Sequence, residues 1–109
     1  MISTSVIFLA AAILLNAGSG VFYKWSAQSS GTIALVLFLT GITLGGVNAF
    51  FYTKSLNQIH LNVAYPIFSA GSILLVALAS VLVFSEAFSL KQGLGIVAVL
   101  VGIVLVTSA

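Results

Sequence analysis

All the side-chain charge in this chain is confined to the gaps between long apolar runs. Lys24, Lys54, Glu86 and Lys91 are the complete set, and His60 joins them in a connector. Between these positions lie four stretches that read as membrane spans, residues 2–23, 31–52, 63–84 and 92–107, the last becoming 90–107 when Leu90 and Lys91 extend it. A bilayer core about 30 Å thick needs about 20 mostly apolar helical residues to cross it. The first three stretches meet that length, and the fourth approaches it once Leu90 and Lys91 are counted in. A lysine at mid-membrane costs about 2.5–3.5 kcal/mol on insertion scales, and the sequence avoids that cost in every span.

The composition agrees. Only 4% of the residues are charged and 61% are hydrophobic, where a soluble domain is about 25% charged. With 109 residues there is no room for a soluble module beside four spans, so a single domain, residues 1–109, is expected. The net charge of +2 comes from separated lysines; nucleic-acid binding, which needs clustered Lys and Arg against phosphates, is not expected. Without Cys, and with one His and one acid, neither a metal site, a cofactor site nor a nucleophile–base pair is expected. Residues 1–20 are apolar and end in small residues, but they lack the positive leading segment of a secretory signal and are read as part of the first span.

In a bilayer only helices or closed barrels satisfy every backbone group. Barrel strands alternate apolar and polar residues, and runs such as Ile73–Phe84 do not. The expected fold is therefore an all-α bundle of four transmembrane helices. Its connectors are residues 24–30, 53–62 and 85–91, and Asn62 is expected to cap the third helix just before Pro66. Alternate connectors lie on opposite sides, so Lys24 and Lys91 share one face of the membrane, and Lys54, His60 and the amino terminus share the other. Lys/Arg excess sets orientation. This near-even distribution favours neither orientation and is compatible with an antiparallel homodimer.

Polar residues inside the spans are the functional candidates. Asn16, Gly20 and Tyr23 share one face of the first helix, with Ser19 adjacent. Gly41, Gly45, Asn48 and Tyr52 do so on the second, and Tyr65, Phe68, Ser69 and Ser72 on the third. The plainer reading is helix packing, to which small and polar residues contribute as a matter of course, and Gly41/Gly45 form a GxxxG. Together the three stripes point to a shared polar cavity. The fourth helix carries the small-residue seam Gly95, Ala98 and Gly102, with no polar residue before Thr107, which suits a subunit interface. Lys24, Lys54 and Lys91 read as interfacial anchors, Tyr23, Trp25 and Tyr52 as an aromatic belt, and Glu86 and His60 as connector residues.

Asn62-Val63-Ala64-Tyr65-Pro66-Ile67-Phe68-Ser69-Ala70-Gly71 resembles the start of the third helix in the small multidrug resistance branch of the drug/metabolite transporter superfamily, including its short EamA-like proteins. Gly95 and Gly102 match that family's fourth-helix glycine spacing, and Phe84–Leu90 is similar to its third connector. The resemblance spans essentially the whole chain. It implies a transporter working as an antiparallel dimer, with Tyr65 and Phe68 lining the substrate site and the fourth helix joining the subunits. Proton-coupled drug exporters of the family carry a first-helix Glu; here that position aligns with Asn16, which does not titrate near neutral pH. Short members without the Glu resemble subunits that move lipid-linked sugars across the bacterial inner membrane, and Ala64-Tyr65-Pro66 is closer to theirs. The resemblance thus implies a polyprenyl-phosphate sugar as cargo, held by Asn16, Asn48, Ser69 and Ser72, with Lys24 or Lys91 attracting the phosphate. Partners would be the lipid bilayer and a second copy or a paralogue. An exporter of organic cations or small metabolites, and a non-transporting scaffold for a glycosyltransferase or larger transporter, are the alternatives.

Overall fold

A computed structural model describes residues 2–108, apart from the side chains of Ile2 and Ser3. The described chain is four helices: α1 (Ile2–Ala27), α2 (Gly31–Ser55), α3 (Leu61–Leu82) and α4 (Leu90–Ser108). All four are long and apolar enough to cross a membrane. α1 and α2 run past their expected ends and carry Lys24, Trp25 and Lys54 inside the helix rather than in the connectors. A helix that continues into a headgroup layer keeps its backbone bonds without charge entering the hydrocarbon.

Local chemistry fixes the turns. The Ser26 hydroxyl donates to the Ala34 carbonyl at 2.7 Å and ties the end of α1 to the first turn of α2. Between them the backbone reverses at Gly31, whose φ of +65° is a left-handed conformation that a Cβ disfavours. Asn62 does not cap α3. The residue entering the helix is His60, extended at φ −63° and ψ 144°, whose carbonyl accepts the N–H groups of Val63 and Ala64 at 3.0 and 2.8 Å. Asn62 is already the second helical residue and stands exposed. Pro66 follows in the second turn and has no N–H to give the Asn62 carbonyl.

The third connector is held at both ends. α3 stops at Leu82, two residues short of the expected Phe84. Ser85 then turns through a left-handed φ of 52°, and the Glu86 N–H donates back to the Ser80 carbonyl at 3.0 Å. At the start of α4, the Ser89 hydroxyl accepts the Gln92 N–H at 3.1 Å, while the Gln92 side-chain oxygen accepts the Ser89 N–H at 3.0 Å. This reciprocal pair is a capping box. It is why α4 begins at Leu90 and not later. Ser89→Ala removes half of it, and thermal unfolding in detergent should show a loss of about 1 kcal/mol.

α1 is the central element. It packs closely along α2 and less extensively along α3, while α4 packs on α3. The result is a slab of 46 × 34 × 16 Å, little more than one helix thick in its short dimension. The buried positions are mostly small: Ala12, Ala17, Ser5 and Ser19 on α1, Ala64 and Ser72 on α3. Small residues let membrane helices approach until van der Waals contact holds them, since lipid supplies no hydrophobic drive between helices. At Gly71 the approach is closest to α3, where an added Cβ would lie 2.9 Å from two carbons of Ile13. α4 buries no residue, and Gly95, Ala98 and Gly102 are all exposed.

Candidate functional site

Three helices meet through their polar side chains near mid-span. The Asn16 amide on α1 donates to the Ser72 hydroxyl on α3 at 2.9 Å. Its oxygen accepts the Asn48 amide from α2 at 3.3 Å. Asn16 can serve both neighbours because α1 lies between them and because a carboxamide presents donor and acceptor at once. Such interhelical bonds average about 0.6 kcal/mol. They orient side chains more than they stabilise the bundle.

Two polar atoms next to this triad have no partner among the described residues. Asn48 gives its amide to Asn16, but its own Oδ1 is buried and accepts nothing. One turn on, the Tyr52 hydroxyl is buried and equally unpartnered. Leaving a buried polar group unmade costs about 1–3 kcal/mol, and lipid offers no water to relieve it. An acceptor and a hydroxyl thus stand unspent on one face of α2.

Tyr52 also belongs to an aromatic group. Its ring centroid lies 5.0 Å from that of Phe68 and 6.5 Å from that of Tyr65, and Tyr65 and Phe68 are 6.4 Å apart. The Tyr65 side of this group is open, with that residue 58% exposed. Tyr65 also borders a cleft of about 700 Å³ beside Pro66 and Val106. Ser69 is half-buried on α3, between Phe68 and Ser72 along the chain. Asn16, Asn48, Ser72, Tyr52, Tyr65 and Phe68 therefore form a continuous polar-then-aromatic strip running toward the end of the bundle where α3 starts.

The expected first-helix stripe divides. Tyr23 leans onto α2, where its ring carbons would lie 2.7 and 2.8 Å from a Cβ at Gly41 and its hydroxyl 3.5 Å from one at Gly45. The GxxxG is thus a seat for an aromatic ring. Gly20 faces the other way, in a cleft of about 140 Å³ against α3 with Val76, Ala79 and Phe84. Asn16, Gly20 and Tyr23 fan through only some 60° around the helix, but that suffices on a helix flanked on both sides. No cleft described joins the three stripes: the amides close on one another, and of the stripe residues only Gly20 and Tyr65 line a cleft, each a different one.

The charges sit at the two ends. The Lys24 ammonium lies 3.0 Å from Glu86, both side chains being about two-fifths exposed (43% and 44%). A pair this exposed is worth less than about 1 kcal/mol, but it places the first and third connectors on one face. Trp25 and Phe84 meet edge-on beside it at 5.9 Å. Lys91 is exposed in the first turn of α4. At the opposite end Lys54 stands over the ring of Phe50, 5.4 Å from its centroid. Among the described residues, no group of three or more His, Cys, Asp or Glu side chains gathers.

Comparison with known proteins accords with this arrangement. The family model described as the EamA-like transporter family matches residues 1–108. The chain belongs to the EamA-like transporter family. It is also similar to uncharacterized protein y4nH of Sinorhizobium fredii (strain NBRC 101917 / NGR234), at 30% identity over 111 residues, covering 95% of each chain. Membership of the EamA-like family makes this a small multi-pass membrane transporter, and its apolar helices contact the bilayer directly.

Proposed function

We propose that this EamA-like protein translocates an amphipathic, lipid-linked cargo, a polyprenyl-phosphate sugar, across the bacterial inner membrane. The observation that carries this reading is the pair of unspent groups, Asn48 Oδ1 and the Tyr52 hydroxyl, beside a wholly uncharged triad. Sugar hydroxyls both donate and accept, and they complement such groups without bringing a charge into the hydrocarbon. The chain's single acidic side chain, Glu86, lies in a connector beside Lys24, so recognition by neutral contacts fits better than proton exchange at a buried carboxylate. The open aromatic side at Tyr65 suits a cargo whose tail stays in lipid.

Two copies arranged antiparallel would complete the site, with alternating access from the halves rocking about mid-membrane. The exposed seam of Gly95, Ala98 and Gly102 is the natural place for a second copy or a paralogue to pack. Ala98→Cys in the otherwise cysteine-free chain should then yield a cross-linked pair in membranes; a chain that stays single under oxidation sinks the dimer. For the cargo, purified protein in liposomes should accelerate flipping of a labelled polyprenyl-phosphate sugar over protein-free vesicles, and no acceleration sinks this cargo.

One observation favours a second reading. Tyr52, Tyr65 and Phe68 present three rings within 6.5 Å of one another, and such a group also attracts organic cations. Proton release when a quaternary ammonium compound is added to the purified protein selects that reading.

A further inference from the structure

We propose that the cleft beside Lys54 binds the phosphate of a membrane-resident lipid, at the end of the bundle opposite Lys24 and Lys91. The proposal refines the cargo reading above and rests on it for the identity of the lipid.

The cleft measures about 610 Å³ and lies between the start of α1 and the end of α2. Lys54, Thr4, Ser5, Thr53 and Asn57 supply its polar lining, and Phe8 and Leu56 its apolar wall. A phosphate needs a cation and several hydrogen-bond donors around its oxygens. The Lys54 ammonium, the Thr4 hydroxyl and the Asn57 amide are of that kind, whereas the Thr53 hydroxyl donates to the Ala49 carbonyl at 2.8 Å. Phe8 and Leu56 give the first carbons of a lipid chain an apolar surface.

Electrostatics separates Lys54 from the other two lysines. Lys24 is paired with Glu86 at 3.0 Å, so its charge is already answered. Lys91 does not border any of the clefts described. Lys54 borders a polar cleft and, among the described residues, forms no ion pair; the Phe50 ring 5.4 Å away attracts its cation without cancelling its charge. The only acidic side chain of the protein lies at the far end. Depth is also right. Lys54 is in the last turn of α2, at headgroup level, so a lipid phosphate would meet it without leaving its own layer. Tyr52 stands at the same end of the bundle, on the opposite side of α2 from Lys54.

The test uses the full chain in phosphatidylcholine nanodiscs with a photo-crosslinkable polyprenyl phosphate. Lys54→Gln should weaken its capture about tenfold and Lys54→Arg about twofold or less, with capture falling as salt is raised. Unlabelled polyprenyl phosphate should compete and the uncharged polyprenol should not. Unchanged capture in Lys54→Gln, equal competition by polyprenol, or a loss carried instead by Lys24→Gln or Lys91→Gln overturns the site. Competition by inorganic phosphate as strong as by the lipid overturns its lipid-borne character. Phosphatidylglycerol competing as well as polyprenyl phosphate assigns the site to ambient anionic lipid, and its failure to do so assigns it to the cargo; either keeps the lipid phosphate. Lys54-dependent capture without any flipping sinks the transport of this cargo and leaves the site standing.

Discussion

Asn16→Ala should cut the initial rate of cargo flipping at least tenfold, about 1.4 kcal/mol in barrier, while costing the fold about 1 kcal/mol. The two figures have different origins. Asn16 makes two interhelical bonds, to Ser72 and from Asn48, and at about 0.6 kcal/mol each their loss is modest in stability. Position is what the mutation destroys. With Asn16 gone, Asn48 has no partner on either end of its amide, because Oδ1 is already unpaired. Its side chain is then free to turn, and the acceptor offered to the cargo turns with it. Tyr65→Ala should lower flipping as well, through loss of the ring that opens the strip to lipid. Flipping rates in proteoliposomes, set beside thermal unfolding of the same preparations, separate the two effects. Full activity in both variants would show that the strip is packing alone.

Gly71→Leu should damage the fold strongly, at about 2–4 kcal/mol. A Cβ alone at this position would sit 2.9 Å from Ile13 Cδ1 and Cγ2, inside van der Waals contact, and the remaining carbons have nowhere to go. Overpacking typically costs about 1–3 kcal/mol; the higher range here reflects two helix axes being forced apart together. Separation of α3 from α1 would also pull Ser72 from Asn16. Ile13→Ala, which vacates the opposing space, should recover much of the loss in a Gly71→Ala background. The double-mutant cycle from unfolding in detergent reads that coupling directly. Additivity of the two substitutions would contradict the contact.

The number of helices and their approximate extents were legible because bilayer thickness sets a length that apolar runs must meet, and the chain places its charges outside them. Asn16, Asn48 and Ser72 were legible as candidates for the same reason: an amide or hydroxyl within a run of Leu, Ile and Val is visible without any fold. Their mutual contact was not. Periodicity assigns a residue to a face of its own helix, and it does not say which neighbour that face meets. Hence Tyr23 and Gly20, expected beside Asn16, turn to opposite neighbours, and the anticipated cavity is a closed hydrogen-bonded triad. Helix ends were less legible still. Lys24 and Lys54 look like connector residues because they are charged, yet both continue their helices. Asn62 has the chemistry of a cap but not the place, because His60 already takes the extended conformation that starts α3. The spacing Ser89–Gln92 is a capping-box signal open to any reader of the sequence, and it explains the start of α4 at Leu90. The Lys24–Glu86 pair depends on how the third connector folds over α3, which only three-dimensional packing decides.

The unequal helix lengths bear on the surrounding lipid. α2, with 25 residues, rises about 38 Å, and α4, with 19, about 28 Å. An upright α2 carries its last turn, with Lys54, beyond the reach of α4 and out of the hydrocarbon. Where α4 falls short of the hydrocarbon thickness, the acyl chains beside it shorten to meet it, at a fraction of a kcal/mol per Å. A membrane pinched along that edge gives a polar headgroup less hydrocarbon to traverse.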